Sequence, residues 1–199
     1  MYDIRTGLTS IKEYKNNFLY PICITSLNNN INIDLKEEVG LVIEDNNNYS
    51  NSFINAFILM TYIKNPRKLF KIKYLDSSNF SGLVYKANEL LNLLKNEQVQ
   101  NIDEYNLKQD KKNFLKRNII IIDDLINIIK NKEDLEKFTF ILQVAVKVGF
   151  YIIIRTTDKK TFPAWQWYYA GNILKSICNL FYLKIVADYF TRTFLPSII

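Results

Sequence analysis

The chain has 199 residues, 48% of them hydrophobic and 23% charged, which suits a globular domain with a full core and excludes a disordered chain. There is no histidine, so histidine catalysis, histidine–metal sites and a histidine pH switch are excluded. The net charge of +6 suits nucleic acid or an acidic surface, but lysine far outnumbers arginine and Asn, Ile, Phe and Tyr are abundant, as coding by an A- and T-rich genome would give. In chain order, Met1–Ser10 lacks the apolar core of a secretory signal. Pro21 to Ile33 alternates short apolar runs about Asn28-Asn29-Asn30 and predicts a hairpin-like strand pair. Val39 to Ile43 predicts a strand, Glu44 to Asn51 a polar loop, and Phe53 to Ile63 a helix that Asn65-Pro66 ends. Leu69 to Leu75 is the next strand, closing on Asp76.

Residues Tyr85 to Lys116 have helical spacing, with Leu90, Leu91, Leu93 and Leu94 on one apolar face and Ile102 and Tyr105 beginning another. Ile119 to Ile122 is an unbroken β-branched run, the mark of a strand buried on both sides, and it ends in Asp123-Asp124. Leu135 to Val148 predicts a helix with Gly149 as its C-cap, and Phe150 to Ile154 another buried strand. Pro163 opens a short aromatic helix, and Leu180 to Val186 is the last strand. In the aromatic helix, Trp165, Trp167, Tyr168 and Tyr169 read as packing, with stacking of single-stranded nucleic acid as the alternative. Strands alternate with helices from residue 39 onward, so the expected class is α/β, a mainly parallel sheet with helices on both faces. No apolar run reaches the roughly 20 residues of a membrane helix. The cytoplasm or an organelle interior is the expected compartment, and Cys23 and Cys178 read as two reduced thiols.

In an open parallel sheet, ligands lie beyond the carboxyl ends of the strands. Three such ends are polar: Glu44 to Asn51, Asp123-Asp124 and Arg155 to Asp158. A strand, loop and helix over 39–63 has the architecture of a phosphate-binding loop, in which backbone N–H groups and a helix N-terminus hold the anion. Asp123-Asp124 fits a Walker B end: the first carboxylate holds Mg²⁺ and the second orients an attacking water. The same dipeptide also suits a helix cap or a solvated turn, and both readings stand.

The order of these pieces resembles the motor domain of FtsK/SpoIIIE DNA translocases over about residues 20–195. Pro21-Ile22 through Ile33-Asp34-Leu35 is similar to the family's lead-in strand pair, and Leu41-Val42-Ile43 to its P-loop strand. Phe53-Ile54-Asn55-Ala56 is similar to the segment after the P-loop. Val99 to Asn106 resembles a stretch that follows a long helix, and Gly149-Phe150-Tyr151 to Thr156-Thr157 the sensor strand. Asn172-Ile173 and Thr191 to Leu195 resemble the last two motifs. The resemblance implies a RecA-like P-loop NTPase domain over 21–199 after an extension over 1–20. An unrelated flavodoxin-type α/β fold is the alternative.

The family loop reads G-x-x-x-x-G-K-[ST]. Aligned on Phe53-Ile54-Asn55, this chain has Glu44 and Tyr49 for the glycines, Ser50 for the lysine and Asn51 for the hydroxyl residue. A one-residue shift restores a hydroxyl at Ser52 only. Asp124 replaces a glutamate, while Arg192 is retained where the family reports on a neighbour's nucleotide. Two functions follow as expectations. One is a degenerate, non-hydrolysing domain, needing neither ATP nor Mg²⁺ and acting as a structural or interaction subunit, as a gene eroding in a reduced genome would also give. The other is an ATP-dependent ring motor on double-stranded DNA. In the motor reading Asp123 binds Mg²⁺, Asp124 orients water, Arg192 senses the γ-phosphate, and Ser50, Asn51 and Ser52 line the nucleotide. Family members continue past the equivalent of Leu195 into a winged-helix domain and carry a membrane anchor, so the expected domain is shortened at its carboxyl end.

Overall fold

The computed structural model describes residues 19–24, 30–45, 50–64, 70–123, 125–156, 180–186 and 189–193. It opens with an antiparallel pair, β1 (Leu19–Ile24) and β2 (Asn30–Asp34), the hairpin that the alternation predicts. β1 starts at Leu19, two residues before the boundary placed at residue 21. The main sheet contains β3 (Gly40–Asp45), β4 (Phe70–Leu75), β5 (Arg117–Asp123), β6 (Phe150–Thr156), β7 (Leu180–Val186) and β8 (Tyr189–Thr193). Its strand order is β4-β5-β6-β3-β7-β8. Every pairing is parallel except that of β7 with β8.

Alternation along the isoleucine run of β5 explains why both sides of the sheet are covered, since successive side chains point to opposite faces. Ile119 and Ile121 join Leu41, Ile43, Tyr151 and Ile153 beneath α1 (Ser50–Lys64). This helix buries Phe53, Ile54, Phe57 and Met60 at helical spacing. Ile120 and Ile122 face the other way, with Ile152 and Ile154, towards α2 (Phe80–Asn96) and α4 (Lys132–Val148). The mainly parallel α/β sheet with helices on both faces is therefore observed.

Gly40 sits where the two central strands close up. A Cβ there would come 2.0 Å from the Ile152 carbonyl oxygen, so only glycine permits the pairing of β3 with β6 at this point.

The structure departs from the helical spacing read over Tyr85 to Lys116. α2 begins earlier, at Phe80, and a second helix, α3 (Ile102–Lys108), follows a break. Gln98 adopts φ 53°, a left-handed conformation that no helix continues through. Asn101 then restarts the chain as an N-cap, accepting from the N–H groups of Asp103 and Glu104. Lys111–Asn113 forms one 3-10 turn. The antiparallel strand β8 has no counterpart in the sequence reading. The aromatic helix from Pro163, Cys178, Thr157, Asn172-Ile173 and most of the 1–20 extension lie outside the described residues.

Candidate functional site

The carboxyl ends of β3, β5 and β6 are adjacent in the sheet, and the chain leaves β3 towards the start of α1. Glu44 and Asp45 are the last residues of β3 and not part of the following loop. Ser50 and Asn51, read as loop, begin the helix, so Ser50, Asn51 and Ser52 all lie in its first turn. Ser50 is 1% exposed, whereas Asn51 and Ser52 are exposed. Tyr49 falls outside the described residues. β3 and α1 thus follow one another as the strand and helix that flank a phosphate-binding loop would, with residues 46–49 between them outside the described residues, and the first turn of the helix carries no cation.

Asp123 ends β5 and stands directly opposite Arg155 of β6 in the parallel register. Arg155 donates from Nε to the Asp123 carboxylate at 2.9 Å. Its Nη1 donates to the Oδ1 of Asn51, in the first turn of α1. One guanidinium therefore joins the three segments that converge here. Its side chain is 21% exposed, against 49% for that of Asp123, so water reaches the carboxylate more freely than the cation.

In the sequence alone Arg155 is only the start of a polar strand end, Arg155 to Asp158, with no role attached. Its importance depends on β5 and β6 being neighbours in register, which α4 separates in the chain.

Of the other candidate residues, Asp124 lies outside the described residues. Arg192 lies in β8, opposite Leu183 of β7, which in turn pairs with Ile43 of β3, the neighbour of Arg155. Asp123, Arg155, Ile43, Leu183 and Arg192 thus form one row across the sheet. Four strand spacings separate its ends, about 19 Å. The fold brings Asp123 and Asn51 together through Arg155 and places Arg192 at the far end of the row.

Asp76, the aspartate that follows β4, has a local task. It accepts from the N–H groups of Ser78 at 2.8 Å and Asn79 at 3.1 Å, shaping the turn into α2. Among the described residues, no group of three or more His, Cys, Asp or Glu side chains is arranged to hold a metal ion.

A mainly parallel central sheet, helices on both faces and a helix that follows the central strand β3 are the architecture of the RecA-like P-loop ATPase fold, and solved ATPases share it. They are of FtsK/SpoIIIE type. The pCW3 conjugation coupling protein TcpA, solved as a monomer with ATPγS, superimposes with a TM-score of 0.65 at 16% identity, over 88% of this chain and 56% of its own. The cytoplasmic domain of the type VII secretion ATPase EccC from Thermomonospora curvata gives 0.64 at 11% identity, over 89% of this chain and 27% of its own. ATPases 2 and 3 of EssC from Geobacillus thermodenitrificans give 0.58 at 13% identity, over 91% and 38%. The chain thus spans between about a quarter and somewhat over half of these neighbours. No family model and no curated protein matches the sequence.

Proposed function

We propose that this chain is a degenerate FtsK/SpoIIIE-like domain that does not hydrolyse ATP and serves as a structural or interaction subunit. The observation that carries this reading is the first turn of α1. Ser50 takes the place aligned with the phosphate-facing lysine, and its side chain is buried. Catalysis of phosphoryl transfer depends almost wholly on positioning and on neutralising phosphate charge. A turn without the lysine, in a chain whose preceding strand ends in the acidic pair Glu44-Asp45, supplies no charge to neutralise the anion. Asp123, the residue that would face Mg²⁺, already accepts from a cation of the same chain. These residues do not fit an ATP–magnesium pair, and no step through one is assigned.

The interaction half of the reading is supported by the outer face of α1. Leu59, Tyr62 and Ile63 are exposed there, and Tyr74 is exposed on the edge strand β4. Apolar residues clustered on an outer face suit contact with another subunit. Among the described residues no helix is long and apolar enough to cross a membrane. Any binding to double-stranded DNA would rest on net charge, and would be salt-sensitive and blind to sequence.

Isothermal calorimetry with ATP and Mg²⁺ tests the proposal. No binding is expected in the micromolar range, and no phosphate release. Micromolar binding that Asp123→Ala abolishes would establish the alternative, an ATP-dependent motor on DNA.

A further inference from the structure

We infer that Arg155 is the resident cation of this site. It holds the carboxylate of Asp123 and the first turn of α1 together, so that the site closes on its own charge without a metal ion or a nucleotide. The inference rests on the degenerate reading above and adds the residue that replaces the lost ligand.

Three observations support it. The two partners of Arg155 come from the segments that face a bound nucleotide in this fold, the first turn of α1 and the end of β5. A guanidinium is planar and offers five donors along separate edges. Here Nε serves Asp123 while Nη1, on another edge, serves Asn51, so the group spans two segments instead of capping one carboxylate. The parallel register sets Asp123 and Arg155 side by side on adjacent strands, so the contact is made by the folded sheet itself. Divalent metal and guanidinium would compete for the same Asp123 carboxylate. The guanidinium is covalently part of β6, and its effective concentration at that site far exceeds that of a free ion.

A lysine would not reproduce the arrangement, because an ammonium is a point charge at the end of a flexible stem. This gives the inference its specific test. Thermal unfolding of the full chain would be followed for Asp123→Asn, Arg155→Met, Arg155→Lys and the double variant Asp123→Asn/Arg155→Met. Each single change is expected to lower Tm by about 2–4 °C, which is what a loss of about 1 kcal/mol produces in a domain of this size. The double variant should fall no further than the worse single one, because both remove the same contact. Arg155→Lys should fail to restore the wild-type value. Millimolar Mn²⁺ should leave the Tm of the wild-type chain unchanged, and its electron paramagnetic resonance signal should remain that of the free ion. Additive losses in the double variant, full rescue by lysine, or Mn²⁺ taken up by the wild-type chain and lost in Asp123→Asn would each overturn the inference. The two proposals fail separately. Micromolar ATP binding beside an intact Asp123–Arg155 coupling removes the degenerate reading alone, and additive losses without ATP binding remove the role of Arg155 alone.

Discussion

Gly149 lies directly beneath Ile102: a Cβ on this glycine would come 2.0 Å from the Ile102 Cδ1 atom. The contact joins the end of α4 to the start of α3. Gly149 caps α4 at φ 69°, in the left-handed region where L-residues with side chains are strained. Its N–H closes the last turn of the helix, and β6 begins at the next residue. Gly149→Ala therefore meets both a backbone penalty and a clash with a fully buried isoleucine. A loss of about 2–4 kcal/mol is expected in urea unfolding, combining left-handed strain with overpacking. A loss no larger than that of an exposed glycine-to-alanine change would contradict this account.

Arg117, at the start of β5, is a buried cation anchored on both sides of the strand's start. It donates to the Leu35 carbonyl at 2.8 Å and to the Asp103 carboxylate, tying β2 and α3 to the central sheet. Removing Asp103 takes a charged partner from that buried guanidinium. Asp103→Ala is expected to destabilise by about 1–3 kcal/mol, below the full cost of breaking a buried pair because Asp103 keeps a third of its side chain in water. Arg117→Met, which removes the charge but keeps the stem, should cost less. Chemical denaturation of the two variants side by side checks the order.

Among the described residues Tyr151 is the largest fully buried side chain, and its ring stacks on Phe57 at 6.0 Å. Its hydroxyl has no hydrogen-bond partner among the described residues. Burial, and secondarily the charge of Glu38, push the phenol well above its ordinary value near 10. The phenol is raised in the folded state, so the stability it confers is complete below about pH 10 and is lost as pH climbs towards the raised value. Tyr151→Phe should leave neutral-pH stability within about 1 kcal/mol of wild type, or improve it, because an unsatisfied hydroxyl is removed. It should also flatten the alkaline fall in Tm. A large loss at neutral pH would reveal a bond to that hydroxyl.

Asp76 offers an acid-side counterpart. The hydroxyl of Ser78 first, and then the N–H of Asn79, hold its carboxyl below the ordinary range. A depressed carboxyl contributes stability above the ordinary carboxylate value near 4 and loses it as pH falls through the lowered one. Carbon-detected NMR titration should find Asp76 below the other exposed carboxylates, and Ser78→Ala should move it back up. An unchanged midpoint in that variant would show that the hydroxyl does not set it.

The parts of the fold legible in the sequence are those dictated by local chemistry. Ile119 to Ile122 announces a strand buried on both faces, Gly149 announces a left-handed cap, and Asn65-Pro66 lies immediately after the last residue of α1. The new apolar face begun by Ile102 and Tyr105 marks the start of α3, but the exact break before it is not legible because the left-handed residue there is Gln98, where a glycine would have marked it. β8 was hidden because its reversal after β7 lacks a glycine or proline turn signal. Within the site, Asp123 was recognisable from the strand before it. Arg155 was not, because its meaning depends on which strand lies beside it, and that neighbour is set by a crossover through α4.

The place of Arg155 also sets the order in which an engineer would have to work. Writing glycines and a lysine back into the turn before Phe53 would insert a second positive charge beside a guanidinium that already claims Asp123, and position 50 itself has no solvent to receive it. Turning this scaffold into a working engine would begin on β6, with Arg155, and only afterwards reach the loop.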